Sequence, residues 1–227
     1  MALATIVPVR DRCLPVDEAF ASMLPDAGLV RGRLVGCTGP AAMSLALSLA
    51  SRAAATGAWL AVVGVPMLGV EAAGEFGVPL ERLVMVDTDA RPATWAERVG
   101  AAADGFDLIL TRPPVGAERV VRKVRQRLQA RGGVLLAVGP ITPGISCDVE
   151  FSTTSVEWAG VGTGHGSLMG RRAMVRVGGR RMPRSVEREL WLPGPHGRVE
   201  AASRPGEPFG DASSPEITPV AALSRAG

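Results

Sequence analysis

The chain has 227 residues, 47% of them hydrophobic, and a formal net charge of +3. This composition is typical of a globular protein and argues against an intrinsically disordered chain, and the length suffices for one α/β domain with a large core. No apolar run approaches the roughly 20 residues of a membrane-spanning helix. With no signal-peptide pattern at the N-terminus, we expect a cytoplasmic protein without membrane contact.

Few residues are suited to metal or covalent chemistry. Cys13, Cys37 and Cys147 are odd in number and far apart, which favours a reducing compartment and provides no metal-site spacing. His165 and His196 are the only histidines, and Lys123 is the only lysine among 25 basic residues. The sequence therefore predicts no metal site and no cofactor.

Strands and helices alternate through most of the chain. Residues 15–24 are predicted to form a short helix. Buried strands are predicted at 32–37, 58–65, 82–87, 107–111 and 133–138, with helices at 40–56, 69–77, 92–103 and 116–130. Each strand is a continuous apolar run, which indicates a parallel sheet with helices on both faces.

The pattern changes after residue 145. The segments at 147–161, 171–177 and 188–194 have no helix between them, which predicts antiparallel strands that extend one edge of the sheet. The glycine-rich stretch 160–166 is predicted to be a hairpin loop. We therefore divide the chain into a leader at 1–14, one domain at 15–194 and a disordered tail at 195–227.

The segment "VGCTGPAAMSLAL" at 35–47 resembles a phosphate-binding loop between a strand and a helix. Such a loop reads G-x-x-x-x-G-K-[ST], and its lysine and hydroxyl hold phosphates and magnesium. With Gly36 as the first glycine, the last three positions fall on Ala41, Ala42 and Met43. The closing glycine, the cation and the hydroxyl are thus all absent, and the alternative is that 40–56 is a packed core helix.

Two acidic positions of an ATPase site are also missing. The end of the second strand, where a catalytic glutamate would stand, has Val65, and the end of the fourth has Thr111 and Arg112 where a magnesium-binding aspartate would stand. Asp107 lies at the wrong end of that strand. Three independent losses indicate that ATP hydrolysis is absent.

The order of elements resembles the RecA core. "PVDEAFASMLPDAGLVRGRLVGCTG" is similar to its entry helix and first strand, and "GVEAAGEFGVPLERLVMVDTDARPATWAERV" to its third-strand region. "DLILTRPP" and "GVLLAVGP" continue the series, and the late segments are similar to its closing antiparallel strands. The resemblance covers about residues 15–194, and it predicts a RecA-like α/β fold with a mainly parallel central sheet and C-terminal antiparallel strands.

The departures from RecA resemble the degenerate ImuA-type family, above all its actinobacterial ImuA-prime form. The polymerisation helix is absent, and the DNA-binding loop is reduced to 139–146. This resemblance implies a noncatalytic accessory protein of a damage-induced translesion complex, or mutasome. Its partner would be an ImuB-type Y-family polymerase homologue, and through it an error-prone C-family DNA polymerase and the sliding clamp.

The sequence leaves two other functions open. The degenerate RecA-like fold is shared with SulA cell-division inhibitors, which bind the tubulin-like division protein. A RecA-type DNA-dependent ATPase is the third reading, and it requires residues that the 36–44 segment does not supply.

Basic residues concentrate in two segments, 112–131 and 171–188. Such patches bind phosphates without sequence preference and in a salt-sensitive way, although no aromatic platform for single-stranded DNA accompanies them. Weak DNA binding, a partner interface and a solvated surface are the alternatives. The candidate contact residues are Arg119, Arg122, Lys123, Arg125, Arg127, Arg180, Arg181 and Arg184.

The tail carries one small apolar cluster, formed by Ile217, Val220 and Leu223. Apolar residues within a polar, proline-rich segment are typical of segments that fold on a partner. The tail is either such a docking segment or plain disordered chain.

Overall fold

The computed structural model describes residues 12–162, 165–194 and 196–202, and a nine-stranded sheet organises them. The strands are β1 Cys13–Pro15, β2 Gly28–Val30, β3 Leu34–Thr38, β4 Leu60–Val63, β5 Leu83–Val86, β6 Leu108–Thr111, β7 Val134–Val138, β8 Val149–Gly162, β9 His165–Gly178, β10 Val186–Trp191 and β11 Glu200–Ala201. The helices are α1 Glu18–Ala21, α2 Ala42–Ala55, α3 Val70–Glu75, α4 Pro92–Gly105 and α5 Val121–Arg131, with 3-10 turns at Leu80–Arg82 and Ala117–Arg119.

The sheet order is β11-β10-β9-β8-β3-β7-β6-β4-β5. Strands β8, β3, β7, β6, β4 and β5 are parallel, and β8 to β11 pair antiparallel. Strands β1 and β2 form a separate antiparallel pair. The predicted mixed α/β architecture, with a mostly parallel central sheet and C-terminal antiparallel strands, is confirmed.

Helices cover both faces of the parallel strands. Helix α2, in which ten of fourteen residues are buried, packs on one face with Phe20 of α1. On the other face, α4 contributes Trp95 and α5 contributes Val124 and Leu128. Helix α5 buries only a stripe at helical spacing, so Arg122, Arg127 and Arg131 lie on its exposed side. Within the described residues no helix is long and apolar enough to cross a membrane.

The ends of the elements differ from the sequence prediction. Strand β1 begins inside the predicted leader, and β11 lies beyond residue 194, where Val199 packs into the core at 7% exposure. The helix predicted at 116–130 is split, because Gly116 adopts a left-handed φ of +87° and a 3-10 turn precedes α5. The glycine-rich stretch 160–166 contributes to β8 and β9 on either side of residues 163–164.

The buried carboxylate of Asp148 joins helix α5 to the β8–β9 hairpin. Asp148, with a side chain 1% exposed, accepts hydrogen bonds from Arg125 Nη1 at 2.5 Å, Arg180 Nη2 at 2.9 Å and the Leu34 amide at 3.1 Å. Arg33 Nη1 lies 3.7 Å away. Burial alone would raise the pKa of Asp148, but the Leu34 amide, Arg180 and Arg125 outweigh it and lower the pKa.

We predict that Asp148→Asn reduces the free energy of unfolding by about 1.5–3 kcal/mol at pH 7, because Arg125 and Arg180 then donate to a neutral acceptor in place of a charged one. A lowered folded-state pKa stabilises above the unfolded pKa of about 4 and is lost as pH falls through the folded value. Urea titrations should therefore show a smaller difference between wild type and variant at pH 3. Asp89→Asn, in an exposed pair with Arg91, is the control and should change little. Equal stability of wild type and Asp148→Asn at pH 7 would contradict this account.

Candidate functional site

The turn from β3 into α2 is too short to cradle a phosphate chain. Only Gly39, Pro40 and Ala41 separate the strand from the helix. Gly36 lies inside β3, where a Cβ atom would stand 2.8 Å from the Sγ of Cys147. This glycine is therefore required for close packing between β3 and the segment before β8, and it does not start a loop.

The space at the start of α2 is occupied by Thr153 of β8. The Ala41 amide donates to Thr153 Oγ1 at 3.0 Å, and that hydroxyl lies 3.4 Å from the Thr38 carbonyl oxygen, to which it donates. Gly39 has a φ of +87°, and a Cβ there would be 2.1 Å from the Thr153 carbonyl oxygen. Thr153 is 3% exposed. A free amide at a helix start attracts anions, but here the protein's own hydroxyl satisfies it.

A guanidinium group from β9 lies against the first turn of α2. Arg171 Nη2 donates to Ser44 Oγ at 2.5 Å, and its Nε donates to the Leu192 carbonyl oxygen at 2.7 Å. Its guanidinium carbon stands 5.1 Å from the Trp158 ring centroid. Burial lowers the pKa of Arg171. Arg171 thus ties the β8–β9 hairpin to α2, a role that no local sequence pattern indicates.

The end of β6 is also closed. Trp95 Nε1 donates to Thr111 Oγ1 at 2.8 Å, and Thr111 Oγ1 donates to the Val63 carbonyl oxygen at 2.8 Å. Thr111 is fully buried, so its hydroxyl is not available to a metal or a water. Arg112 follows it at the surface. Its Nε lies close to Gly139, where a Cβ atom would be 3.5 Å away from it.

The remaining predicted positions carry no reactive groups. Val65 is 6% exposed and packs in the core beside α2, as do Ala41 and Ala42, while Met43 is partly buried. The described residues contain no group of three or more side chains able to hold a metal ion. Burial raises the pKa of Cys147 to about 12, and it raises that of Cys37 as well. Both thiols are therefore neutral and unsuited to nucleophilic chemistry.

Some of the predicted basic residues in α5 and in the 3-10 turn before it form ion pairs, and others do not. Arg127 pairs with Asp104 at 2.6 Å, and Arg119 lies 4.0 Å from Glu118. Arg122 and Lys123 are exposed and have no ion pair with a described residue. Only part of this surface is available to phosphates.

The two basic segments meet at Asp148. Arg125, whose side chain is 18% exposed, and Arg180 both bind that carboxylate. Arg181 and Arg184 are exposed in the turn between β9 and β10. Arg125 is thus mainly structural. The predicted tail residues Ile217, Val220 and Leu223 lie outside the described residues.

A cavity of about 880 Å³ lies near the β11 edge of the sheet, between α1 and strands β10 and β11. One arginine, Arg188, and several carboxylates line it. The acidic residues are Asp17, Glu18, Glu187, Glu189 and Glu200. Such a wall repels phosphates, so this cavity does not suit a nucleotide.

Apolar side chains are exposed around β5, the last strand of the sheet, and sequence reasoning missed this surface. Five of the eight large hydrophobic residues exposed among the described residues lie on β5, on the elements leading into it or at the ends of the adjacent β4. We call them the β5 edge patch. Its members are Trp59, Met67, Val70, Leu80 and Met85.

Comparison with known families identified a match over the first part of the domain. The family described as MT3502 N-terminal domain matches residues 22–144, more than half of the chain, and the chain belongs to that family. The matched stretch contains the β3–α2 turn, the end of β6 and α5. A search of curated proteins found no match.

We predict that Thr153→Val lowers the free energy of unfolding by about 1–3 kcal/mol, because the Ala41 amide loses its acceptor in a buried turn. Thr154→Val makes the same chemical change on the exposed neighbouring residue and should leave stability nearly unchanged. Urea denaturation of the two variants provides the comparison. Equal effects of the two substitutions would show that the Thr153 hydroxyl does not hold the turn.

Proposed function

We propose that this member of the MT3502 N-terminal domain family is a noncatalytic, RecA-like accessory protein of a mutagenic translesion complex. Its direct partner would be an ImuB-type Y-family polymerase homologue, which connects it to an error-prone C-family DNA polymerase and the sliding clamp. The observation that carries this proposal is the occupation of the α2 start by Thr153. A RecA-like protein without a nucleotide-binding site would act by binding other macromolecules.

The arrangement of elements supports the RecA-like part of the proposal. Strand β3 lies inside the parallel sheet and is followed by α2 after a three-residue turn. The first strand and first helix of a RecA core follow one another in the same order. Three further strand–helix steps and strand β7 follow in the expected order. Strand β8 then pairs parallel with β3, and antiparallel strands extend the sheet from β8.

Loss of catalysis is supported at three separate places. Thr153 Oγ1 accepts from the Ala41 amide at the start of α2, Thr111 Oγ1 donates to the Val63 carbonyl oxygen, and Val65 is a buried core residue. No single substitution would restore all three groups. The proposed protein therefore acts through its surface.

The β5 edge patch is the surface that we assign to the polymerase homologue. Natural sheet edges are protected by short length, charge, proline or a bulge. Strand β5 is short, at four residues, but it reads Leu-Val-Met-Val without a charge or proline, and its register with β4 is unbroken. Its outer side pairs with no described strand. An extended segment of the partner could add there as a further strand, using backbone hydrogen bonds and apolar side chains.

The charge around the patch indicates the kind of segment. Residues 70–89 contain five acidic residues and one arginine, Arg82, which lies 5.1 Å over the Trp59 ring. Asp89 is neutralised by Arg91, but Glu71, Glu75, Glu81 and Asp87 have no ion pair with a described residue. The partner segment should therefore be apolar with basic flanks.

Direct contact with DNA is a secondary part of the proposal. Arg122, Lys123, Arg181 and Arg184 are exposed cations that could each touch a phosphate. Few contacts of this kind give weak, salt-sensitive binding. DNA would then be held mainly by the polymerases of the complex.

We predict that the chain co-elutes with its ImuB-type partner on a sizing column, and that Met85→Lys weakens this binding at least tenfold. Burial of a methionine side chain stabilises by about 1.5–3 kcal/mol, and about 1.4 kcal/mol corresponds to a tenfold change in Kd. Val115→Lys is the matched control, since Val115 is 87% exposed but lies outside the patch.

Two results would overturn the proposal. Separate peaks for the two proteins at micromolar concentration would remove the polymerase homologue as partner. If the chain instead slowed polymerisation of the tubulin-like division protein in a sedimentation assay, the SulA-like function would replace it. Equal weakening by Met85→Lys and Val115→Lys would keep the partner but reject the β5 edge patch as its docking surface.

A further inference from the structure

A pocket of about 240 Å³ lies at the amino ends of β3 and β8, away from the α2 turn and from the β5 edge patch. Its walls come from the segment after α1, from β2 and from the first residues of β3 and β8. The apolar side chains of this wall are Leu24, Leu29, Val30, Val35 and Val149. Arg33, Arg181, Asp26 and Asp148 provide its charged groups.

Both carboxylates of the pocket are already satisfied by other groups. Asp26 Oδ1 accepts a hydrogen bond from Arg12 Nη2 at 2.7 Å. Asp148 is bound by Arg125, Arg180 and the Leu34 amide. Neither carboxylate therefore needs a cation from a ligand.

The two pocket arginines, in contrast, have unused donors. The side chain of Arg33 is 27% exposed, lies 3.7 Å from Asp148 and makes no hydrogen bond with a described residue. The side chain of Arg181 has no ion pair with a described residue, although its backbone amide donates to the Asp148 carbonyl oxygen. The pocket lining therefore holds two guanidinium groups, Arg33 and Arg181, beside two carboxylates that arginines outside the lining already bind.

We propose that this pocket binds a carboxylate carried on a short, branched apolar stem. Guanidinium groups pair with carboxylates through parallel hydrogen bonds, which Arg33 and Arg181 can supply. The pocket has room for about eight water-sized groups, and its apolar wall favours a hydrocarbon stem over a fully polar anion such as phosphate.

This site is independent of the proposed polymerase interface. The carboxylate can come from a free small acid or from a glutamate next to a leucine in a peptide. Both share the same chemistry, and separate arms of one experiment distinguish them.

The experiment follows amide and arginine Nε–H signals of the ¹⁵N-labelled full chain by NMR during titration with isovalerate. Isovaleramide is the neutral isostere, and inorganic phosphate is the anion without an apolar stem. The peptide arm uses acetyl-Leu-Glu-Leu-amide against its glutamine analogue. We expect saturable shifts at Val30, Val149 and Arg181 with millimolar isovalerate, and at least fivefold weaker responses to isovaleramide and phosphate, because each lacks one of the two recognised features.

Arg181→Gln and Arg33→Gln should each weaken isovalerate binding by about fivefold or more, since a charged donor is lost. Arg184→Gln, an exposed arginine that does not line the pocket, is the control and should leave the affinity unchanged. An unchanged amide spectrum outside the pocket shows that the variants remain folded. Tighter binding of the glutamate peptide than of isovalerate identifies a protein source, and weaker binding identifies a free acid.

The proposal is overturned if isovaleramide or phosphate binds as tightly as isovalerate. It is also overturned if shifts stay linear to high concentration, or if Arg184→Gln weakens binding as much as Arg181→Gln. Because the assay contains no partner protein, these outcomes leave the polymerase interface untested, and failure of the pull-down leaves this pocket untouched.

Discussion

The hydrogen bond from the Ala41 amide to Thr153 is the contact on which the functional account depends. It satisfies the Ala41 amide with a side chain of β8, and the nearby Thr153 carbonyl oxygen requires a glycine at position 39, because a Cβ there would stand 2.1 Å from it. The strand, turn and helix thus form core structure whose free amide at Ala41 is satisfied internally. Arg171 reinforces the closure by joining the hairpin to Ser44.

Much of the fold followed from the sequence because the parallel strands are short apolar runs between helices. The same argument located the losses at Val65 and Arg112, since missing charges are visible in a sequence. Thr153 was not found, because it is 112 residues from Ala41 in the chain and no local pattern marks the contact. The β5 edge patch was missed for a similar reason: an exposed apolar strand and a buried one read alike, and only the sheet order places β5 outside.

The basic residues illustrate the limits of charge counting. Arg125 and Arg180 belong to separate basic segments, yet both bind Asp148, so part of the apparent phosphate-binding surface is a buried structural network. What remains free is a few exposed cations, together with Arg33 and Arg181 at one small pocket. We therefore propose two separate binding surfaces: the β5 edge patch for a protein segment, and the pocket of Arg33 and Arg181 for a carboxylate.

The most direct test is hydrogen exchange of the full chain, measured with the proposed ImuB-type partner and, separately, with millimolar MgATP. If Thr153 closes the β3–α2 turn and the edge of β5 is free, the partner should slow amide exchange over residues 80–89. MgATP should leave the exchange rates of residues 36–45 unchanged. Slower exchange at 36–45 with MgATP, together with no change at 80–89 with the partner, would contradict the account and indicate a working nucleotide site.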